Sequence, residues 1–114
     1  MAKVLGAHEV ELGPDHDPAE FERLAAAVMA ETWPGGIRFR LFKADRGTRN
    51  GTYLLLIEIE SVEVRDRIFP IDGEDPPEVV AFLAANPAAG ETWDRLERYV
   101  SSINIGTDYV EIGG

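Results

Sequence analysis

Gly51-Thr52-Tyr53-Leu54-Leu55-Leu56-Ile57-Glu58-Ile59-Glu60-Ser61 is the stretch whose reading decides the fold. Between the turn-forming Asn50-Gly51 and a serine suited to capping a helix, Tyr53 to Glu60 carry no glycine, proline or other loop former. Such a run is a strand. Side chains along a strand alternate between its two faces. Tyr53, Leu55, Ile57 and Ile59 therefore make one wholly apolar face. Leu54, Leu56, Glu58 and Glu60 make an opposite face that is half apolar and half acidic. A sheet built on this strand has one side for helices to cover and one side of mixed character.

The neighbours of this strand extend the pattern. Upstream, Ile37 to Lys43 reads as a second strand. Asn50-Gly51 is the preferred pair for a two-residue turn with positive φ, so a tight hairpin is expected there. Residues 4–12 read as another strand, with Val4, Gly6, His8, Val10 and Leu12 on one face and Gly13-Pro14 ending it. Asp17-Pro18-Ala19-Glu20 is a helix start: Asp17 caps, Pro18 suits the first position, and Glu20 sits where a capping-box carboxylate belongs. Phe21, Leu24, Ala25 and Val28 then recur at helical spacing, and Pro34-Gly35-Gly36 closes the helix.

Downstream, Ser61 caps a helix that Pro70 stops, and Ile71 to Asp75 is a polar linker. Asp75-Pro76-Pro77-Glu78 repeats the capped start, with Val79, Val80, Phe82 and Leu83 as its apolar face. Asn86-Pro87 interrupts this helix and is placed to cap the next, in which Trp93, Leu96, Glu97 and Val100 keep helical spacing. Ile105 and Tyr109 to Ile112 supply a last strand. The order is β-α-β-β-α-β with its second helical region broken. That predicts an α+β, ferredoxin-like domain over residues 1–114, with helices on one face of a four-stranded antiparallel sheet.

Composition narrows the function. The chain has no cysteine, which removes disulfides, thiolate zinc sites and thiol nucleophiles. Its formal charge of −10 opposes nucleic acid, whose phosphates are bound largely through Lys and Arg, and anionic lipid surfaces too. No signal-peptide pattern opens the chain, and no apolar run approaches the ~20 residues of a membrane span, so a cytoplasmic protein is expected. The sequence holds no G-x-S-x-G, Walker, G-x-G-x-x-G or H-E-x-x-H motif, and neither a cofactor nor a metal is expected.

The mixed sheet face predicts a partner. It carries Leu5, Leu54, Leu56 and Phe42, with Glu9, Glu58 and Arg40 among them. Covering each large apolar group gains roughly 1.5–3 kcal/mol, whereas leaving them wet makes a sizeable apolar patch. Sheet-to-sheet packing of two copies is the simplest remedy. The other reading is a monomer whose face stays partly wet.

The whole layout, the opening Val4-Leu5-Gly6-Ala7-His8-Glu9-Val10 and the segment Gly51 to Ser61 together resemble the dimeric α/β-barrel superfamily. That superfamily includes antibiotic-biosynthesis monooxygenase-like and stress-responsive domains. The resemblance implies a homodimeric barrel with a pocket between sheet and helices. It also implies a range of roles, from cofactor-independent oxygenases and haem-handling proteins to proteins of no known activity.

Candidate site residues follow. Histidine is the side chain suited to acid–base work near neutral pH, and His8 sits within a strand, so it is the candidate catalytic residue, as a base or haem ligand in a pocket. A histidine with a satisfied hydrogen bond at the sheet end is the commoner alternative. Arg40, Glu9, Glu58, Phe42 and Tyr109 are candidate ligand contacts: an arginine to hold a carboxylate, a glutamate as base, aromatic rings as walls. Cross-strand ion pairs that fix register are the structural alternative. Trp33, Trp93 and Tyr53 read as pocket walls or as core. Asp15-His16-Asp17 reads as a solvated loop more readily than as a metal site. The functional expectation is a small apolar or aromatic ligand bound by a dimer. A cofactor-independent oxygenase or isomerase and a purely structural dimer are the alternatives.

Overall fold

The computed structural model describes residues 2–102 and 105–113. In chain order they form β1 (Val4–Val10), α1 (Pro18–Ala30), β2 (Arg38–Lys43), β3 (Tyr53–Ile59), α2 (Val62–Ile68), α3 (Pro77–Ala85), α4 (Pro87–Ser102) and β4 (Ile105–Val110), with a 3-10 turn at Pro34–Gly36. The α+β class and the four-stranded antiparallel sheet expected from the sequence are present.

The strand order is β2-β3-β1-β4. β1 lies inside the sheet, antiparallel to β3 from Val4↔Ile59 to Val10↔Tyr53 and to β4 from Val4↔Val110 to Glu9↔Ile105. β2 and β3 form a hairpin from Arg38↔Glu58 to Lys43↔Tyr53. Antiparallel neighbours throughout make β1 parallel to β2 and β3 parallel to β4. Each parallel pair is joined by a helical crossover that passes over the strand between them.

Burial shows which face the crossovers take. Along β3, Tyr53, Leu55, Ile57 and Ile59 are buried while Leu54, Leu56 and Glu58 are only half-buried. Val4 and Val10 of β1, Phe39 of β2, Leu96 and Val100 of α4 and the predicted stripe Phe21, Leu24, Ala25 and Val28 of α1 complete the core. Leu12 and Leu41 pack at its edge. The ring of Phe21 lies 4.9 Å from Tyr53 and 5.3 Å from Tyr99, so α1, β3 and α4 meet at one aromatic contact. The Tyr53 hydroxyl donates to the Glu22 carboxylate. Burial first, and then that bond and charge, push its pKa up to about 12.

Two of the four predicted caps form. Asp17 accepts from the Ala19 N–H at 3.0 Å and Ser61 from the Val64 N–H at 3.2 Å. Glu20 does not serve a capping box; it takes Arg23 and Arg95 instead. Asp75 does not cap α3, because the helix starts one residue later with Pro76 in the cap position and no side-chain bond there. Asn86 donates to the Phe82 carbonyl at 2.9 Å, so its side chain ends α3 rather than opening α4.

The hairpin tip also differs from expectation. Asn50 and Gly51 are the middle pair of a turn that the Thr52 N–H closes on the Arg49 carbonyl at 3.1 Å, but they are not a two-residue hairpin loop of the primed type, because only glycines in the described residues take positive φ and that type needs it at both positions. The Ala44 N–H donates to the Thr52 carbonyl at 2.8 Å while the Gly51 N–H donates to the Ala44 carbonyl at 3.0 Å. Two residues thus face one, with Gly51 at φ 92°, which is the bond pattern of a glycine bulge. The glycine is needed, but for the bulge that ends a longer loop.

Two outcomes test this packing. Phe21→Ala is expected to cost about 3–5 kcal/mol in denaturant unfolding, as for other buried aromatic truncations. Tyr53 has a folded pKa of about 12 against an ordinary 10.0, so its contribution is complete below pH 10 and is lost as pH rises towards 12. Tyr53→Phe should remove that alkaline loss; an unchanged profile would refute the assignment.

Candidate functional site

Three strands floor a cavity that the helices do not fill. On the inner face of β1, Gly6 has no side chain to offer between Val4 and His8. Leu55, Ile57 and Ile59 of β3 supply the apolar floor, and Trp93 and Val100 of α4 with Phe69 past α2 supply the roof. The cavity measures about 380 Å³. A second lobe of about 410 Å³ shares Phe69, Asp75, Trp93 and Glu97 with it and reaches Trp33 and Phe39. The two lobes make one groove under the broken helical region, with the Pro70–Pro77 linker at its mouth.

Polar groups enter the first lobe from four elements. His8 enters from β1, Asp108 from β4, Arg65 from α2 and Glu97 from α4, and Asp75 adds a carboxylate from the linker. Asp108 stands opposite Gly6 in the β1–β4 register. A Cβ on Gly6 would lie 3.2 Å from the Asp108 carboxylate and 3.5 Å from the Ile57 Cβ, so the glycine makes room for that carboxylate. The Arg65 Nη1 donates to Asp108 at 2.8 Å and its Nε donates to Asp66 at 2.8 Å. The bonds to Asp66 and then to Asp108 push the guanidinium pKa up, so Arg65 is a fixed cation already facing two carboxylates.

The structure divides the predicted site residues between two faces. His8, half-buried opposite Leu55 and Gly106, looks into the groove on the helix side. Arg40, Glu9, Glu58, Phe42 and Tyr109 lie with Leu5, Leu54 and Leu56 on the other side, and the sheet separates them from His8. There Arg40 donates to Glu58 at 3.3 Å and stacks its guanidinium 5.0 Å over the Phe42 ring. Arg49 lies 3.5 Å from Glu9. Arg40–Glu58 is a cross-strand charge pair of the structural alternative, whereas Arg49 reaches Glu9 from the hairpin loop. Tyr109, beside Leu5 on the edge strand, is 58% exposed.

The aromatic residues also divide. Tyr53 is core, whereas Trp33 and Trp93 are half-buried at the groove. His16 is not simply solvated: its ring packs 4.8 Å from that of Tyr99. Among the described residues no three His, Asp or Glu side chains are placed to hold a metal ion. Sequence reasoning passed over Arg65 and Asp108. Alternation along β4 and the register of β1 point to Asp108, but nothing local marks Arg65, which reads as one more exposed helix charge.

No family model matches this chain, and no curated protein or solved structure matches it. Among the described residues no helix is long and apolar enough to cross a membrane.

The Gly6–Asp108 approach makes a measurable claim. Gly6→Ala should be destabilising although alanine is ordinarily the better strand residue. The cost should disappear in an Asp108→Ala background, giving a coupling of about 0.5 kcal/mol or more between the two sites in urea unfolding. Additive effects would mean that the contact does not matter.

Proposed function

We propose that the chain is a ferredoxin-like protein that pairs with a second copy through its open sheet face and holds a small apolar or aromatic molecule in the groove on its helix face. The groove carries the reading. Its lobes of about 380 and 410 Å³ fall in the size range of small-molecule sites, and an apolar floor with a few converging polar groups is their usual make-up.

The strand order β2-β3-β1-β4 with two interleaved crossovers supports the ferredoxin-like assignment. Pairing is supported by the outer face, where Leu5, Leu54 and Leu56 remain only half-buried and Phe42 and Tyr109 are 41% and 58% exposed. Both features agree with the resemblance to the dimeric α/β-barrel superfamily. An enzymatic reading, a cofactor-independent oxygenase or isomerase, has one observation in its favour. His8 lines the cavity, where a bound molecule would lie beside an imidazole, the side chain most often used as a general base.

Light scattering should give twice the 12.6 kDa chain mass, and Leu54→Glu with Leu56→Glu should give a folded monomer. A wild-type monomer at micromolar concentration would refute the pairing. The neutral dye N-phenyl-1-naphthylamine should brighten on binding. His8→Trp, which fills the cavity from a strand position that tolerates tryptophan, should abolish the effect. Dye binding that survives His8→Trp would exclude the lobe that His8 lines. Were a substrate found, loss of turnover with retained binding in His8→Ala would favour the enzyme.

A further inference from the structure

We infer that the occupant of the groove is an organic cation: an amine carried on an aromatic or alkyl body. The inference rests on the ligand-binding reading above and specifies its ligand class. Its basis is the combination of aromatic walls and unmatched carboxylates in the second lobe.

The walls form a continuous aromatic array. Trp33 meets Phe39 edge-on at 5.6 Å and Trp93 at 6.1 Å, and Phe39 lies 5.2 Å from Trp93. The Trp33 ring is fixed by its Nε1–H, which donates to the Val28 carbonyl at 2.8 Å. Indole faces attract cations more strongly than other aromatic faces, and a rigid ring loses little freedom when a ligand stacks on it.

The ionisable side chains lining this lobe are Asp75, Asp94 and Glu97, and all are acids. Asp94 and Glu97 stand three residues apart on α4, beside Trp93, and Asp75 comes from the linker. Among the described residues no hydrogen bond or ion pair engages these three carboxylates. Of the arginines around the lobe, Arg65 is held by Asp66 and Asp108, Arg67 by Glu78 and Arg95 by Glu20, and Arg98, which follows Glu97 on α4, does not line it. A cationic ligand is therefore what the lobe lacks. An anionic one would meet three like charges, and its one candidate partner in the groove, Arg65, is already doubly matched. A bare metal ion fits poorly, since among the described residues no three ligating groups converge. An ammonium with an apolar body fits both parts, with its charge at the carboxylate rim and its body against the rings. The net charge of −10 favours its approach.

An isosteric series tests this on the full chain: 4-phenylbutylamine, 4-phenylbutanol and 4-phenylbutyrate. The chain's two tryptophans both line the groove, so intrinsic fluorescence reports binding, with calorimetry as the second measurement. The amine is expected to bind about tenfold tighter than the alcohol, and the butyrate weakest. Asp94→Asn with Glu97→Gln, both exposed positions, should cut the amine's advantage to about threefold or less and leave the alcohol unchanged. Equal binding of amine and alcohol would overturn the cation and leave the ligand reading standing. No binding of any of the three would overturn both, as would failure of every one of them to compete with the neutral dye. An advantage that survives the double variant would overturn the role given to the carboxylates.

Discussion

Tyr53, Leu55, Ile57 and Ile59 have to be kept from water on one side of β3 only, and the arrangement of the helices follows from that requirement. Each of these residues is at most 8% exposed, and each owes this to a helix or a neighbouring strand that arrives from the same side. The hairpin with β2 and the pairing with β1 satisfy the backbone of β3 on both edges, so the remaining task is purely one of covering a face. α1 does this with a dense stripe led by Phe21, and α4 does it with Leu96 and Val100. Since each large side chain contributes roughly 1.5–3 kcal/mol on burial, this one-sided cover outweighs the local preferences of any single turn or cap.

The cover is dense over α1 and loose over the second crossover, and proline chemistry explains the difference. A single long helix between β3 and β4 could lie flat on the sheet. Pro70, Pro76, Pro77 and Pro87 each withhold a backbone donor and disfavour helix in the residue before them. The crossover is therefore divided into α2, α3 and α4, and α3 buries none of its residues fully. Two short helices and a longer one, separated at prolines, do not cover the sheet as one continuous helix would. The space they leave, between Phe69, Trp93 and the β3 floor, is the groove. A gap of this size would be costly were it sealed and dry, but this one is open to solvent at the linker.

How much of this was legible in the sequence depends on the range of the interaction involved. The alternation of Tyr53 to Glu60, the stripe of Phe21 to Val28 and the Ser61 cap are contained within a few residues, and the structure has them where the pattern placed them. Asn50-Gly51 marked the hairpin but not the length of its loop, because one signal serves two geometries. A glycine at positive φ suits both a tight turn and a bulge, and pairing between Ala44 and Thr52 decides which. Asp75 failed for a steric reason, as Pro76 occupies the cap position itself. Arg65 with Asp108 was out of reach because the pair spans 43 residues of sequence and sits beside a glycine in a third element, β1.

The sequence placed the pairing surface and the binding surface together, on the face of Leu54, Leu56 and Arg40. The structure gives the two faces of the sheet different characters, and β1 shows how. Leu5, Ala7 and Glu9 point to the open face, whereas Gly6 and His8 point into the groove. Along the open face Arg40 is paired with Glu58 on the sheet and Glu9 with Arg49 of the hairpin loop, and the largest unmet need is apolar area. In the groove the opposite holds. The apolar surface is already gathered into a ring of tryptophan and phenylalanine, and what remains unmet is negative charge at Asp75, Asp94 and Glu97. A second copy of the chain, itself at −10, offers apolar area but adds like charge. A small cation offers charge but too little area to cover a sheet. The two needs are complementary to different partners, and a single strand thickness separates them.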